Sequence, residues 1–402
     1  MTSRRAPAGP GSLPVDAAAA TGRGAGAVLD ALGTPGSLAL IPTPALVCDV
    51  DVLDANLGAM AAWAAASGVG LRPHVKTHKT GFVAARQLDR GAVGLSCASV
   101  SEAAAVVDRL AGDGRPGPVP VLVTSPVVGA WPVARAVALS RRCDLTVVVD
   151  HPDGVEELAG AAGPSDRIGV VCDVDTGLGR TGVVGPAEAV AVVDRVARRP
   201  PLHFAGVQGY AGHLQHLVGR DERRAATRAA NGRLEAVVAA LEARGHAVGL
   251  RTGGGTGTSG IDLELGVLTE LQPGSYVFMD RQYRDALGGD PEARFGQSLT
   301  VSTTVVSANQ EGFVTVDAGL KALATDAGAP VVVGRDDMTY HFFGDEHGLV
   351  TRGAGGGPHR GERLDLVPPH CDPTVDRYDL LWLVRGDTVV GLTTVDARGC
   401  SQ

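Results

Sequence analysis

Long apolar runs are missing from this sequence: glycine, proline or a charged residue interrupts each one, and none reaches the roughly 18 residues that a membrane-spanning helix needs. Excess positive charge is missing too. Against 44 Asp+Glu stand 36 Lys+Arg, a formal charge of -8, so no basic field holds a phosphate backbone and nucleic acid is not an expected partner. The six cysteines, at 48, 97, 143, 172, 371 and 400, lack the paired spacing of a zinc ribbon and the density of a disulfide scaffold, and a reducing, cytoplasmic setting is expected. Cys97 and Cys172 lie in apolar runs and read as core packing. Arg4 and Arg5 are followed by Pro10, Pro14 and Asp16 in place of the apolar centre of a signal peptide. Lysine is the scarcest charge: Lys76, Lys79 and Lys321 are the only three, the other 33 basic residues being arginine. A lysine kept against that bias invites a chemical reason, because its amine forms a Schiff base and a guanidinium does not.

What is present fits a folded chain of one large and one smaller domain, with 44% hydrophobic and 20% charged residues. Residues 1 to about 26, biased to Ala, Gly, Pro and Arg, read as a loosely ordered arm inside an amino-terminal segment taken to residue 40. Beyond it, Leu53, Leu57, Met60 and Ala64 fall at helical spacing behind Asp51, a candidate cap. Strands are expected at Val69–Val75, Val93–Cys97, Pro120–Thr124, Leu145–Asp150, Ile168–Val174, Phe204–Tyr210, Val248–Thr252 and Leu271–Phe278, with helical stretches such as Ala225–Ala243 between them. These eight β/α units predict an α/β fold, a (β/α)8 TIM-type barrel over 41–290, with a doubly wound open sheet as the alternative. After about Asp290 the texture changes. Leu299–Val306, Phe313–Val316, Val331–Val333 and Leu380–Val384, with Gly386-Asp387 as a hairpin turn, predict a C-terminal antiparallel β domain over 291–402.

Arg72-Pro73-His74-Val75-Lys76-Thr77-His78-Lys79 falls at the carboxyl end of the first expected barrel strand, where barrel enzymes place their chemistry. A second cation beside a reactive lysine lowers its pKa and frees its lone pair. Lys79 or His78 is the candidate for that part; a solvated basic turn is the plain alternative. Arg251-Thr252-Gly253-Gly254-Gly255-Thr256-Gly257 follows the seventh expected strand, a place where barrels build phosphate cradles from backbone N–H groups, with glycines letting the main chain approach the anion. Near the carboxyl end, Pro368-Pro369-His370-Cys371-Asp372-Pro373-Thr374 is expected to be extended. Residues i and i+2 then face one way, so His370 and Asp372 could chelate one cation while Cys371 points elsewhere; a structural rim turn is the alternative.

The octapeptide, together with Thr43-Pro44-Ala45-Leu46 and the strand Ala45–Asp49, resembles the D-threonine aldolase and D-serine dehydratase family of pyridoxal-phosphate enzymes. The likeness runs from about Ile41 to the end. It implies the alanine racemase type of fold, a barrel followed by a β domain, and a homodimer. It also implies that Lys76 carries pyridoxal 5'-phosphate, with Lys79 only a neighbour. By the same resemblance, Thr252, Gly253, Gly254, Gly255, Thr256 and Gly257 hold the cofactor phosphate, Tyr276 lies in a segment that reaches it, Arg180 bonds the ring oxygen and Tyr210 lies near the ring nitrogen. Asp345-Glu346-His347-Gly348 resembles a segment near the family metal, while Asp317–Lys321 carries no assigned role.

The family carries a metal on His-x-Asp or His-x-Cys at the place of His370 and Asp372, aldolases tending to the first and zinc-dependent dehydratases to the second. Imidazole plus carboxylate is a hard site that suits Mn2+, Mg2+ or Co2+, with Zn2+ also admitted. The implied reaction is retro-aldol cleavage of a β-hydroxy D-amino acid, D-threonine foremost, to glycine and an aldehyde. Dehydration to a keto acid and ammonia is the runner-up, ahead of racemisation and of a non-catalytic carrier of the cofactor.

Overall fold

The computed structural model describes residues 13–22, 25–290, 294–353 and 357–402. Its first strand, β1 (Ala45–Asp49), precedes a barrel of eight parallel strands: β2 (Gly70–Leu71), β3 (Leu95–Cys97), β4 (Pro120–Val123), β5 (Asp144–Val149), β6 (Ile168–Val174), β7 (Leu202–Gly209), β8 (Leu250–Gly253) and β9 (Glu270–Leu271). Neighbours pair in the order β2-β9-β8-β7-β6-β5-β4-β3. A single bridge, His74 to Ser96, joins the two ends and closes the ring, with Val93 N–H on Leu71 O at 2.8 Å and Ser96 N–H on Pro73 O at 2.9 Å beside it. The barrel reading holds and the open sheet does not.

Strand alternation divides the barrel residues into two sets. Val121, Val123, Val147, Val149, Val170 and Cys172 pack in the main core. Leu122, Val148 and Val171, with Ala205 and Leu250, form a separate apolar cluster that fills the barrel interior. Two residues further along, at the carboxyl ends, the same faces carry Thr124, Asp173 and Thr252, so the plug turns polar where a ligand would sit.

The first and last barrel strands are shorter than expected. Each breaks into a 3-10 turn, Val75–Thr77 or Ser275–Val277, then a residue with positive φ, Lys79 at 53° or Met279 at 55°, then a helix cap. Thr80 caps Gly81–Asp89 and Asp280 caps Arg281–Leu287. The helix Val50–Ala66 is capped by Asp49, whose carboxylate accepts from the N–H groups of Asp51 and Val52, and not by Asp51. The helix expected at Ala225–Ala243 begins earlier, at Arg220.

The second layer comprises β10 (Leu299–Ser307), β11 (Phe313–Val316), β12 (Val331–Val332), β13 (Tyr340–Phe342), β14 (Gly348–Thr351), β15 (Arg363–Val367), β16 (Leu380–Arg385) and β17 (Thr388–Thr394). The expected hairpin joins β16 to β17. The segment boundary at residue 41 assigned β1 to the barrel; it pairs instead antiparallel with β10 and parallel with β16, inside the second layer. Burial explains the placement: Leu46 and Cys48 meet the main core while Ala45 and Val47 meet Trp382, Val384 and Leu392 on the other face.

The amino-terminal arm is also structured wherever it is described. Val15 bridges to Leu392, the Asp16 carboxylate accepts from Thr394 N–H at 2.8 Å, and Ala20 and Val28 are fully buried against β16 and β17. Alanine-rich composition concealed an apolar face made of small side chains. Residues 1–12 and 23–24 of the arm lie outside the described set. Among the described residues no helix is long and apolar enough to cross a membrane.

Candidate active site

A cleft opens over the carboxyl ends of the barrel strands, lined among others by His74, Lys76, Thr77, Arg180, Tyr210, Thr256 and Ser275. Its floor is the polar layer above the barrel plug. Gln208 Nε2 donates to Asp173 Oδ1 at 2.9 Å, Gln272 Nε2 donates to Gln208 Oε1 at 3.2 Å and to Thr252 Oγ1 at 2.9 Å, and His74 Nε2 meets Thr124 Oγ1 at 3.0 Å. His74 Nδ1 accepts the Lys76 N–H at 3.3 Å, which puts the ring proton on Nε2. Burial, with Lys76 next, holds this imidazole neutral. Burial lifts Asp173 to about 6 despite its bonds from Gln208 and Thr181.

Lys76 reaches into the cleft with its side chain 40% exposed and meets Asp372 Oδ2 at 2.5 Å. Burial works against the charge of this amine, but Asp372, then Tyr210, outweighs it and raises the lysine above its usual range. For Asp372, burial is outweighed by Lys76 and His370, and the carboxyl is held well below its usual value. The expected second cation is not there. Lys79 turns behind the loop, where Nζ meets Ala397 O at 3.2 Å, Glu102 at 3.4 Å and Asp376 at 3.2 Å. His78 is sealed in the core, where burial takes it down to about 4.

Asp372 arrives from the second layer on a short helix, Cys371–Val375, for which His370 is the N-cap residue. The segment is therefore helical from Cys371 on, with His370 extended before it. Pro373 does not force Asp372 out of the helix, because proline is tolerated in a first helical turn. His370 Nδ1 pairs with Asp326 Oδ2 at 2.6 Å. That carboxylate fixes the tautomer and leaves the lone pair on Nε2, an arrangement that also supports metal-bound histidines. Among the described residues no group of three His, Cys, Asp or Glu side chains is placed to hold an ion. The pair fits as two donors of a site completed by water or substrate.

At the other end of the cleft, Gly255, Thr256, Gly274 and Ser275 form the wall. The Thr256 and Ser275 N–H groups have no protein acceptor among the described residues, which fits an anion there. The glycines of this loop have varied reasons. Gly254 needs its φ of +68°, and a Cβ on Gly253 would stand 2.0 Å from Gly209 O. Gly255 and Gly257 are kept small by the buried Gln215: a Cβ would lie 2.5 Å from its Oε1 or 2.0 Å from its main-chain O. Gln215 Oε1 accepts the Gly257 N–H at 2.9 Å and its Nε2 donates to Thr258 Oγ1 at 3.2 Å. Close approach of the loop to a neighbouring side chain, as well as to an anion, thus sets its glycine content.

Of the residues singled out from sequence, Lys76, Arg180, Tyr210, Gly255 and Thr256 line the cleft, with Arg180 over the Tyr210 ring at 5.5 Å. Thr252 and Gly253 lie beneath it, fully or nearly buried. Tyr276 points away: its hydroxyl accepts from Gln87 at 3.1 Å, its ring packs on Phe295, and only its N–H turns to Thr256 Oγ1, at 3.0 Å. Asp345 and Glu346 pair with Lys321 on an exposed turn, at 3.6 Å and 2.5 Å.

Three residues escaped the sequence reading. Asp326 has no motif around it. Asp280, which caps Arg281–Leu287, also accepts, at 2.9 Å, the Cys371 N–H that seats the Asp372 helix. His216 packs its ring, tilted, against that of Tyr283 with centroids 4.5 Å apart and feels the charges of His370, Asp372 and Lys76; burial, then His370, lowers its pKa.

A parallel barrel with a lysine in the cleft at its carboxyl end, followed by an antiparallel β layer, is the architecture of the barrel enzymes of the alanine racemase type. The family described as "Alanine racemase, N-terminal domain" matches residues 48–282, and "Putative serine dehydratase domain" matches 298–384. A D-threonine aldolase of Arthrobacter sp. is 38% identical over 91% of this chain and 95% of its own length. A 3-hydroxy-D-aspartate aldolase of Paracoccus denitrificans is 37% identical over 89% and 92%. The crystal structure of D-threonine aldolase from Filomicrobium marinum superposes with a TM-score of 0.86 at 37% identity, covering 92% of this chain and 99% of that one. The chain belongs to this family, as a lyase of the D-threonine aldolase type.

Proposed function

We propose that this protein cleaves β-hydroxy D-amino acids, D-threonine or a near relative, to glycine and an aldehyde, using pyridoxal 5'-phosphate and a divalent cation. The observation that carries the reading is the 2.5 Å meeting of Lys76 with Asp372, an amine of the barrel against a carboxylate of the β layer at one cleft mouth. Lys76 would hold pyridoxal phosphate, which would supply an electron sink for charge at the substrate α-carbon. His370 and Asp372 would hold the cation, with Mn2+, Mg2+ or Co2+ favoured, which would supply a Lewis acid for the substrate hydroxyl.

The residues themselves do the rest. Thr256 and Ser275 bind an anion with free N–H groups, and the Arg180 guanidinium holds negative charge over Tyr210. His216, kept neutral by burial, is the group available to take the hydroxyl proton as the carbon–carbon bond breaks. His74 keeps the Lys76 main chain in place from below. Exposed Val128, Val184 and Val218, on loops after β4, β6 and β7, with Trp131 in the first turn of the helix Ala130–Ser140, support the pairing of two copies around the cleft.

Incubation of the purified protein with pyridoxal phosphate, Mn2+ and D-threonine should give glycine and acetaldehyde. Lys76→Ala should abolish both turnover and the visible band of bound cofactor. Faster release of ammonia and keto acid from D-serine or D-threonine would replace this reading with the dehydratase one, which the match to the serine dehydratase domain keeps as the second choice.

A further inference from the structure

The two lysines of the octapeptide grip the same short helix at its two ends. Lys76 holds Asp372, the second residue of Cys371–Val375, and Lys79 holds Asp376, its C-cap, one turn further on. The two pairs differ in setting. Lys76 is 40% exposed in the cleft, whereas the Lys79 side chain is 10% exposed, sealed by Glu102 at 3.4 Å and by the chain's carboxyl end, where Ala397 O accepts from Nζ at 3.2 Å and Ala397 N–H donates to Lys79 O at 2.9 Å. Asp376 is tied to that end as well, its Oδ1 accepting from Gly399 N–H at 2.9 Å. Lys79 also sits at φ 53°, a conformation that favours glycine.

Resting on the function proposed above, we infer that Lys79 is a positioning residue for the reaction: through Asp376 it keeps the Asp372 carboxylate at the cleft once Lys76 has given its amine to the cofactor. On loading, the Lys76–Asp372 ion pair is lost. Lys79–Asp376 is then the ion pair that still ties the helix to the lysine loop among the described residues. Asp280, which accepts the Cys371 N–H, seats the other end but holds no charge on the lysine loop.

The test is the binding of Mn2+ alone to cofactor-loaded protein without substrate, followed by the free-ion electron paramagnetic resonance signal. Lys79→Met and Asp376→Asn should keep the visible cofactor band, since Lys76 is intact, and should bind Mn2+ about tenfold or more weakly, as supporting groups around metal ligands do when removed. Mn2+ affinity within twofold of wild type in both variants, whatever their melting temperatures, would show Lys79 to be structural only and overturn the inference. If Lys79→Met fails to fold because Glu102 is left unpaired, Asp376→Asn decides alone, as it leaves Lys79 with Glu102. Wild-type protein that carries the band but binds no Mn2+ overturns the metal part of the functional reading, and this inference with it; binding by wild type and by both variants alike overturns the inference alone.

Discussion

Asp173 stands on the polar floor of the cleft, 4% exposed, with its carboxyl raised to about 6 by burial. Between its ordinary value of 3.8 and about 6 the folded state therefore holds a proton that the unfolded chain has released. The sign follows: stability from this group is greatest below pH 4 and falls as pH rises toward 6, by roughly 2–3 kcal/mol in all for a shift of about two units. Asp173→Asn should lose that slope. Thermal melts at pH 4.5 and pH 7.5 should show the variant gaining on the wild type at the higher pH, and an unchanged difference would mean that the carboxyl titrates normally. The Lys76–Asp372 pair acts differently. A depressed carboxyl and a raised amine contribute stability together from above the ordinary range of the acid up to that of the lysine, so this pair adds no slope near neutrality.

The glycine loop after β8 shows how far a motif can be read and where reading stops. Its position on the seventh unit was legible, because short apolar runs between helical stretches locate the strands and barrels use the loops that follow. The reason for Gly255 and Gly257 was not, since Gln215 lies some 40 positions earlier in the chain and only folding brings it against them. Gly257→Ala would drive a Cβ to 2.0 Å from the Gln215 main-chain oxygen, which cannot swing aside. Its affinity for pyridoxal phosphate, titrated by absorbance, should fall about tenfold or more as the loop is displaced. Gly232→Ala, on the long helix Arg220–Ala243 with nothing within 4 Å, is the control and should bind normally with stability unchanged or up to about 1 kcal/mol higher. The His370–Asp372 segment misled for a related reason. Proline spacing argues for extended backbone, but the first helical turn also accepts proline, and the Asp280 acceptor that tips the balance comes from the end of the barrel.

At the scale of the molecule, the β layer is built from both ends of the chain. β1 lies between β10 and β16, and the segment from Leu13 packs on β16 and β17. Sequence texture changes after about Asp290, yet no local pattern tells a strand at 45–49 which sheet it will join; long-range pairing decides that. A fragment of residues 291–402 should therefore lack a cooperative thermal transition by circular dichroism, and linking residues 13–49 to it should restore one. Cooperative unfolding of the shorter fragment would show that β1 is dispensable to its layer.

The same placement sets an order of events during synthesis. About 250 residues separate the end of β1 from the start of β10, which a ribosome at 5–20 residues per second needs on the order of 10–50 s to make. Through that interval β1 has neither neighbour in its sheet, while each barrel strand from β3 to β8 gains a neighbour as soon as the next is made and β2 waits only for β9. The lysine loop is thus finished long before the carboxylate that faces it has been translated, and the nascent barrel carries its apolar leading segment uncovered until the last strands arrive. Chaperone demand and exposure to aggregation should therefore peak late in translation, when the barrel is complete and its first strand is still waiting.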